Sequence, residues 1–448
     1  MSSPLECEDP NKAANSHHFK ALRPSFSVRT VFLLLLIFSG LVTIWQVKFY
    51  GNISISPWYQ ANGAQNEDEV ITEEEMDKSI TSPTPPYCKR VDHVLFLKTH
   101  KTGSSTLTNL LNRYGNKHEL TFALPQTAYS FNWPHKFRTV YVVPVYRRPH
   151  ILCNHARFNK KPMNILFPKK DTKYLTILRH PVTHFESIFN FMKLWDSLNI
   201  KGRDSIEIMD KFLQGNSSFN PEYLSSKLTA RLLRNPMLFD LGMDYRYFQD
   251  LSAVWTYIQT LHKEFDLVLI MEYFDESMVL MKRTFCWDID DVLYLKLNER
   301  RDKDKRNITE KMKQNILSWS QADMMLYRSF NKTFWKRIEN EGPAFYYDLA
   351  RFRERKKEVF DMCVKSDKHV DQAYSHHYVK GYLLRDLRGK DREFCRSLVR
   401  NELNYLAHNL QRHRKQQEEI DDLGEFPDMF DKRNNWDVKQ DLAHHPVS

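Results

Sequence analysis

The chain has 448 residues and a formal net charge of +10. Hydrophobic residues make up 42% and aromatic residues 13%, which excludes a wholly disordered chain, and the 12 glycines and 19 prolines exclude a collagen-like repeat. A basic balance predicts an anionic partner, such as nucleic acid, phospholipid, or a small phosphorylated or sulfated ligand.

The first element along the chain is an uncharged, strongly apolar segment at residues 30–47. Its 18 residues are just enough to cross a bilayer. It lacks the polar face of a core helix, and no small-residue cleavage site of a signal peptide follows it. Arg23 and Arg29 precede the segment and an acidic stretch follows it, so the positive-inside rule places the N-terminus in the cytosol. We therefore predict a cytosolic tail (residues 1–29) and one transmembrane signal anchor (residues 30–47).

Residues 48–90 have the composition of a luminal stem, being polar and acidic with Ser-Pro-Thr-Pro-Pro near their end. Such a segment buries little apolar area, which favours an extended tether. Of the six cysteines, Cys7 precedes the anchor, so the odd number after it allows at most two disulfides, with the pairing open. The glycosylation acceptors of the Asn-x-Ser/Thr type all follow the anchor, at Asn52, Asn216, Asn307 and Asn331.

From residue 91 onward, short apolar runs alternate with helical patterns. Residues 91–97 predict a strand, and after a short loop the apolar side chains recur at helical spacing. Ser104 or Ser105 can cap the start of this helix, and Gly115 can end it. The sequence therefore predicts a strand, a tight loop and a helix.

The same pattern recurs twice. A predicted strand at residues 174–178 is followed by Pro181, which suits the first position of a helix. A third predicted strand, at residues 267–271, is followed by a helix at residues 278–285. Strands that alternate with helices predict an α/β domain with a mainly parallel sheet. The chain is expected to be mostly helical from Phe334 onward.

The loop after the first predicted strand has the features of an anion site. Unpaired backbone N–H groups and the helix dipole attract negative charge to a helix N-terminus. Lys98 and Lys101 add positive charges. Hydroxyl donors follow at Ser104, Ser105 and Thr106. In loops that bind nucleotide triphosphates the lysine follows the glycine, whereas here Lys101 precedes Gly103, which speaks against a kinase or an ATPase.

A second polar element follows the strand at residues 174–178. Arg179 can bind a phosphate through two N–H groups, and Ser187 adds a neutral donor on the next helix. The lysine-first loop and this Arg…Ser element resemble the signature with which sulfotransferases bind 3′-phosphoadenosine 5′-phosphosulfate (PAPS). Residues 91–301 resemble the galactose 3-O-sulfotransferase family in particular. The segments that carry this resemblance are FLKTHKTGSSTL, ILCNHARF, ILRHPVTHFESIF, EYFDES and FCWDIDDVLY.

The resemblance implies a P-loop NTPase-like parallel sheet flanked by helices, the sulfotransferase fold, in a catalytic domain at residues 91–425, with an irregular tail at residues 426–448. It also implies a single-pass type II Golgi membrane enzyme that uses PAPS and no metal. The residues expected to bind PAPS are Lys98, Lys101, Thr102, Gly103, Ser104, Ser105, Thr106, Arg179 and Ser187.

The acceptor implied by the resemblance is the 3-hydroxyl of a β-galactose residue. KLNERRD at residues 296–302 resembles the glycolipid enzymes, so galactosylceramide or a related glycolipid is expected, and terminal galactose of glycoprotein glycans is the alternative. Residues 126–138 and 200–220 are expected to contact the acceptor. The partners are then the acceptor and the Golgi membrane and not nucleic acid, while the oligomeric state stays open.

Sulfuryl transfer needs a base that takes the proton of the acceptor hydroxyl, and stabilisation of the charge that develops on the donor. His155 is the first choice for the base, because histidine suits neutral pH and this one lies between the two cofactor elements, like a histidine of related uronyl 2-O-sulfotransferases. His100 comes second, since its place in the loop suggests a cofactor contact, and Glu186 comes third. Lys101 is expected to stabilise the developing charge.

The sequence also contains features that suggest other functions. His150, Cys153 and His155 are too close on one predicted strand to converge on zinc. The Asp-x-Asp motif within residues 288–291 suggests a metal-dependent glycosyltransferase. A non-catalytic module that binds anionic glycans would explain the basic charge but not the ordered lysine and arginine elements. Binding of adenosine 3′,5′-bisphosphate, of a metal-dependent nucleotide sugar, or of heparin alone discriminates among the three.

Overall fold

The computed structural model describes residues 88–422, except residues 128, 146, 194–199, 216–230, 302–306, 367–368 and 375–376. The predicted cytosolic tail, the anchor, nearly all of the stem and the irregular C-terminal tail lie outside the described residues. Within the described part of the chain, no helix is both long enough and apolar enough to cross a membrane.

A parallel sheet forms the centre of the domain. Its four strands lie in the order β2-β1-β3-β4. They are β1 (Val94–Leu97), β2 (Ile151–Leu152), β3 (Lys173–Leu178) and β4 (Leu267–Ile270). The strands consist almost entirely of buried residues, which is typical of a parallel sheet covered on both faces. This confirms the predicted α/β class with a parallel sheet.

Helices flank the sheet. Up to the end of β4 they are α1 (Ser104–Lys117), α2 (Lys160–Leu166), α3 (Pro181–Phe191), α4 (Ser205–Gln214), α5 (Pro236–Asp240) and α6 (Leu251–Glu264). After β4 follow α7 (Phe274–Phe285), α8 (Glu310–Trp319), α9 (Gln321–Glu341), α10 (Pro343–Cys363), α11 (Gly389–Val399) and α12 (Glu402–Asp422). Pro181 occupies the first turn of α3, as predicted.

The first helix differs from its prediction at both ends. Its N-cap is Gly103, in a left-handed conformation with φ of 78°, and not a serine. It also continues through Gly115 to Lys117. A Cβ atom at Gly115 would lie 2.4 Å from Phe122 and 2.9 Å from Ile151, so this glycine permits close packing and does not end the helix.

The parallel register brings the predicted polar loops together. Leu97 of β1 pairs with Thr176 of β3, and Leu178 of β3 pairs with Ile270 of β4. The carboxyl ends of these strands therefore meet at one edge of the sheet, where ligands of open α/β sheets bind. The loops that begin at Lys98 and Arg179 follow directly from this edge.

The C-terminal part contains one element that the sequence analysis did not predict. It is mostly helical, as expected, but an antiparallel hairpin of β5 (Val370–Tyr374) and β6 (His377–Gly381) interrupts it. Disulfides join Cys88 to Cys286 and Cys363 to Cys395, and Cys153 is a buried free thiol. Two disulfides and one remaining thiol agree with the cysteine count.

Two of the predicted glycosylation acceptors lie within the described residues. Asn307 is exposed and precedes α8, whereas Asn331 lies within α9 with its side chain partly buried. The side-chain oxygen of Asn331 is buried and has no hydrogen-bond partner. Asn52 and Asn216 lie outside the described residues. Exposure therefore favours Asn307 over Asn331 as an acceptor.

Candidate active site

A cavity of about 1130 Å³ opens at the carboxyl edge of the sheet. This volume exceeds the roughly 300–1000 Å³ of a typical small-molecule pocket, so it can hold a donor and an acceptor together. The predicted site residues that line it are His100, Lys101, Gly103, Ser104, Ser105, Thr106, His155, Arg179 and Ser187. The structure thus brings together residues from three separate segments of the sequence.

The loop between β1 and α1 turns sharply onto the start of the helix. Lys101 and Gly103 both have left-handed backbone conformations, with φ of 56° and 78°. No described side chain caps the first turn of α1. The N–H group of Thr106 donates to the carbonyl oxygen of Gly103 at 3.1 Å, which leaves the N–H groups of Ser104 and Ser105 available to an anion in the cavity.

Hydroxyl groups of the loop hold its shape. Ser104 donates to the carbonyl oxygen of Thr99 at 2.6 Å, and the hydroxyls of Thr99 and Thr102 lie 2.8 Å apart. Thr106 accepts a hydrogen bond from the backbone of Leu297 at 3.0 Å. Thr102 is fully buried and does not belong to the cavity wall that the described residues form. Its hydroxyl group stabilises the loop through the contact with Thr99.

The Lys98 ammonium lies behind the loop. It donates to Glu402 at 2.6 Å, to Thr108 at 3.2 Å and to Ser105 at 3.4 Å. Lys98 is 1% exposed and is not one of the described lining residues of the cavity. In this arrangement Lys98 contacts the loop and the C-terminal helix α12, whereas Lys101 faces the cavity.

Lys101 and Arg179 form the cationic centre of the cavity. The Lys101 ammonium lies 3.5 Å from the centroid of the Phe191 ring, and the Arg179 guanidinium donates to the Lys101 carbonyl at 3.0 Å. Burial, together with the positive charges of Arg179 and Arg300, lowers the pKa of Lys101 to about 7. Burial lowers the pKa of Arg179 to about 10, which leaves this group charged at neutral pH. A bound anion would stabilise the charged form of Lys101.

Two histidines stack face to face in the same cavity. The rings of His100 and His155 have centroids 4.1 Å apart. Nδ1 of His155 donates to the carbonyl oxygen of Lys98 at 3.2 Å, so Nε2 is its unprotonated nitrogen. Burial, together with the charges of His100 and Lys98, holds the pKa of His155 well below its usual value, which keeps this ring neutral.

His100 is held by a carboxylate that the sequence analysis did not identify. Nδ1 of His100 lies 2.9 Å from Asp240 Oδ2, and the same oxygen accepts from the His100 backbone at 2.8 Å. The other oxygen of Asp240 accepts from the indole of Trp133 at 2.8 Å. This contact leaves Nε2 of His100 as the acceptor nitrogen, as in a carboxylate–histidine pair of a hydrolase.

Glu186, the third choice for the base, has both carboxylate oxygens in hydrogen bonds with neighbouring side chains. Arg300 donates to both of its carboxylate oxygens, in one case at 2.6 Å. Asn190 donates to one of the same oxygens at 2.9 Å. Both oxygens of this carboxylate are thus engaged by neighbouring side chains, which argues against Glu186 as the group that contacts the acceptor hydroxyl.

The residues of the other proposed functions do not form a site in this cavity. Asp290 and Asp291 pair with Arg355 and Lys117 at 2.9 and 2.6 Å. Cys153 is buried, with its pKa raised to about 12 by that burial. Among the described residues, no group of three or more His, Cys, Asp or Glu side chains is placed to hold a metal ion.

Three residues that contact or line the site were not predicted from the sequence: Asp240, Arg300 and Glu402. Arg300 and its neighbours lie in KLNERRD, which was interpreted only for its acceptor preference. Asp240 and Glu402 carry no local signal, because each reaches the site from a helix that is distant in sequence.

The sequence profile described as galactose-3-O-sulfotransferase matches residues 22–413. The chain belongs to this family. It is 33% identical over 337 residues to galactosylceramide sulfotransferase of Mus musculus, which covers 71% of this chain and 78% of that protein. It is 32% identical over 339 residues to galactose-3-O-sulfotransferase 2 of Mus musculus, covering 71% and 84%. It is 35% identical over 286 residues to galactose-3-O-sulfotransferase 3 of Mus musculus, covering 62% and 65%.

Membership in the family identifies the protein as a sulfotransferase enzyme and supports galactose as the residue that is sulfated. The matched region includes both polar loops, the paired histidines and α12 as far as residue 413. The cavity at the carboxyl edge of the sheet is accordingly the candidate active site of this sulfotransferase.

Proposed function

We propose that this protein is a type II Golgi membrane enzyme that transfers a sulfuryl group from PAPS to the 3-hydroxyl of β-galactose, with galactosylceramide or a related glycolipid as the acceptor. The observation that carries the proposal is that the cavity unites Lys101, the start of α1 and Arg179 in a chain of the galactose-3-O-sulfotransferase family. Terminal galactose of glycoprotein glycans is the alternative acceptor. The glycolipid preference rests on KLNERRD, most of which lines the cavity.

The residues of the cavity suit a donor with two separate anionic groups. Lys101 and the first turn of α1 would hold the phosphosulfate end, while Arg179 and Ser187 would hold the 3′-phosphate. When bound, PAPS supplies the sulfuryl group, and adenosine 3′,5′-bisphosphate is the part that leaves. The lowered pKa of Lys101 fits this role, because burial and the neighbouring cations both disfavour its charged form, and a bound anion would compensate for both.

The proton of the acceptor hydroxyl would pass to one of the two stacked histidines. Position in the sequence favours His155, whose Nε2 is unprotonated. The contact with Asp240 favours His100, because this carboxylate fixes the ring and lies beside it when it gains a proton. We assign the base to this pair, with the stronger geometric argument for His100. Tyr129, which is 56% exposed and lines the cavity, belongs to residues 126–138, which are expected to contact the acceptor.

The experiment that tests the function offers radiolabelled PAPS to the full chain purified in detergent, with galactosylceramide, lactosylceramide and N-acetyllactosamine side by side. We expect label on the 3-position of galactose, and mainly on the glycolipids. Label mainly on N-acetyllactosamine would establish the glycoprotein alternative. No transfer to any galactoside, combined with metal-dependent use of a nucleotide sugar or with binding to heparin only, would refute the proposal.

A further inference from the structure

One ion pair connects the anion loop to the far end of the chain. Lys98 directly follows β1, and Glu402 is the first residue of α12. Their side chains are 1% and 14% exposed, and the ammonium nitrogen lies 2.6 Å from Glu402 Oε2. The two residues are 304 positions apart in the sequence. The C-terminal helix therefore contacts the start of the loop directly.

The Lys98 ammonium has a partner for each of its three protons. These are Glu402, Thr108 and Ser105, of which the last two belong to the first turns of α1. A buried ammonium is unfavourable without a compensating charge, and the charge of Lys98 also contributes to the lowered pKa of Lys101 nearby. Glu402 supplies this compensation, and it also favours the charged form of Lys101.

The same lysine supports a proposed catalytic group. Its carbonyl oxygen accepts the hydrogen bond from Nδ1 of His155 at 3.2 Å. The Lys98 side chain thus fixes the start of α1, and its backbone fixes the ring of His155. A displacement of Lys98 would disturb both the phosphosulfate end of the cavity and the histidine pair.

A carboxylate in the wall of an anion-binding cavity requires an explanation. Glu402 lines the cavity together with Leu403, where it would repel a polyanionic donor. The ion pair with Lys98 neutralises the charge of the Glu402 carboxylate and so reduces this repulsion. We propose that Glu402 is a positioning residue, which holds Lys98 and through it the PAPS loop, so that α12 is a functional part of the donor site. The inference rests on the proposed function.

A double-mutant cycle tests this inference. The variants are Lys98→Met, Glu402→Leu and the combination, each made in the full chain and purified in detergent. The measurements are the Kd of adenosine 3′,5′-bisphosphate, the KM for PAPS, kcat and the melting temperature. Replacing both members of a buried ion pair by apolar residues is often neutral, whereas removing one leaves an uncompensated charge.

We expect Glu402→Leu alone to raise the Kd and the KM for PAPS by roughly 10–100-fold, with a smaller effect on kcat. The double variant should recover most of this loss, because no buried charge remains unpaired. Glu402→Gln, which keeps the shape and one acceptor oxygen, should fall between wild type and Glu402→Leu. If Glu402→Leu does not fold, the Kd and KM of Glu402→Gln still test the inference. Glu419→Gln, an exposed glutamate of the same helix, is the matched control and should bind like wild type.

Two results would overturn the inference alone. One is that the wild type binds the nucleotide and the losses of the two single variants add in the double variant. The other is that Glu402→Leu and Glu402→Gln bind at least as tightly as wild type while Lys98→Met does not, which would make Lys98 a direct ligand. A wild-type protein that does not bind adenosine 3′,5′-bisphosphate would instead refute the proposed function.

Discussion

The contact between Asp240 and His100 leads to a sharp prediction. Asp240 is fully buried and accepts three hydrogen bonds, two from His100 and one from Trp133. Asp240→Asn keeps the size of the side chain but leaves only one acceptor oxygen and introduces a donor. If the amide oxygen faces Trp133, the amide N–H₂ group faces His100 and forces its proton to Nε2, the nitrogen that must accept.

The expected loss follows from this change of tautomer. Holding the base in the wrong tautomer lowers kcat by up to about 10⁴-fold, as in serine proteases. Removal of the base itself, in His100→Ala, should cost about 10²–10⁴, or roughly 3–5 kcal/mol of transition-state stabilisation. The KM for PAPS should change much less than kcat in Asp240→Asn, because the carboxylate does not line the cavity wall formed by described residues.

The assay is the pH profile of kcat and of kcat/KM for PAPS-dependent transfer to galactosylceramide. The acidic limb of kcat/KM reports protonation of the base, so it should be lost in His100→Ala. His155→Ala is measured in parallel. His93→Ala is the matched control, because His93 and His150 form another close histidine pair, with centroids 4.5 Å apart, outside the cavity lining.

Three outcomes are informative. If His155→Ala loses kcat and the acidic limb while His100→Ala keeps both, His155 is the base and the argument from Asp240 is wrong. If both variants keep a near wild-type rate with an intact limb, neither histidine is the base. If the His93 control loses as much as His100→Ala, the losses reflect general destabilisation.

The remaining predictions concern the donor site and the topology. Lys101→Ala should abolish transfer, whereas Arg179→Ala should raise the KM for PAPS more than it lowers kcat; wild-type kinetics in either variant would contradict the assignment. The pKa of Lys101 is lowered to about 7, and a bound anion raises it, so nucleotide affinity should fall as the pH rises through 7. Binding near pH 8 should take up about one proton per nucleotide. Calorimetry in buffers of different ionisation enthalpy measures this uptake, and binding without it would contradict the prediction. Glycosidase treatment of the protein expressed in cells should reduce its mass, and Asn307→Gln should remove more of that shift than Asn331→Gln; an unchanged mass together with a protease-accessible C-terminus in the cytosol would reverse the predicted orientation.

Local patterns in the sequence determined the α/β class and the two polar loops. A buried parallel strand appears as a short apolar run and the following helix as an apolar stripe, and both patterns lie within a few residues of each other. The resemblance implied that Lys101 and Arg179 bind the same donor, and the structure brings both into one cavity because the carboxyl ends of parallel strands meet at one edge of the sheet. The prediction that Gly115 ends the helix was wrong, because glycine is favoured both at helix ends and where neighbouring side chains pack closely against the backbone.

Only the tertiary structure determined which distant groups complete the site. Asp240 lies 140 positions from His100, and Glu402 lies 304 positions from Lys98. A carboxylate on a helix has the same local pattern whether it faces solvent or a buried cation, so its role depends on how that helix packs. The different roles of Lys98 and Lys101, both expected to bind PAPS, also depend on how that helix packs. The sequence shows two lysines in one loop, whereas packing against α12 turns one of them to Glu402 and leaves the other facing the cavity.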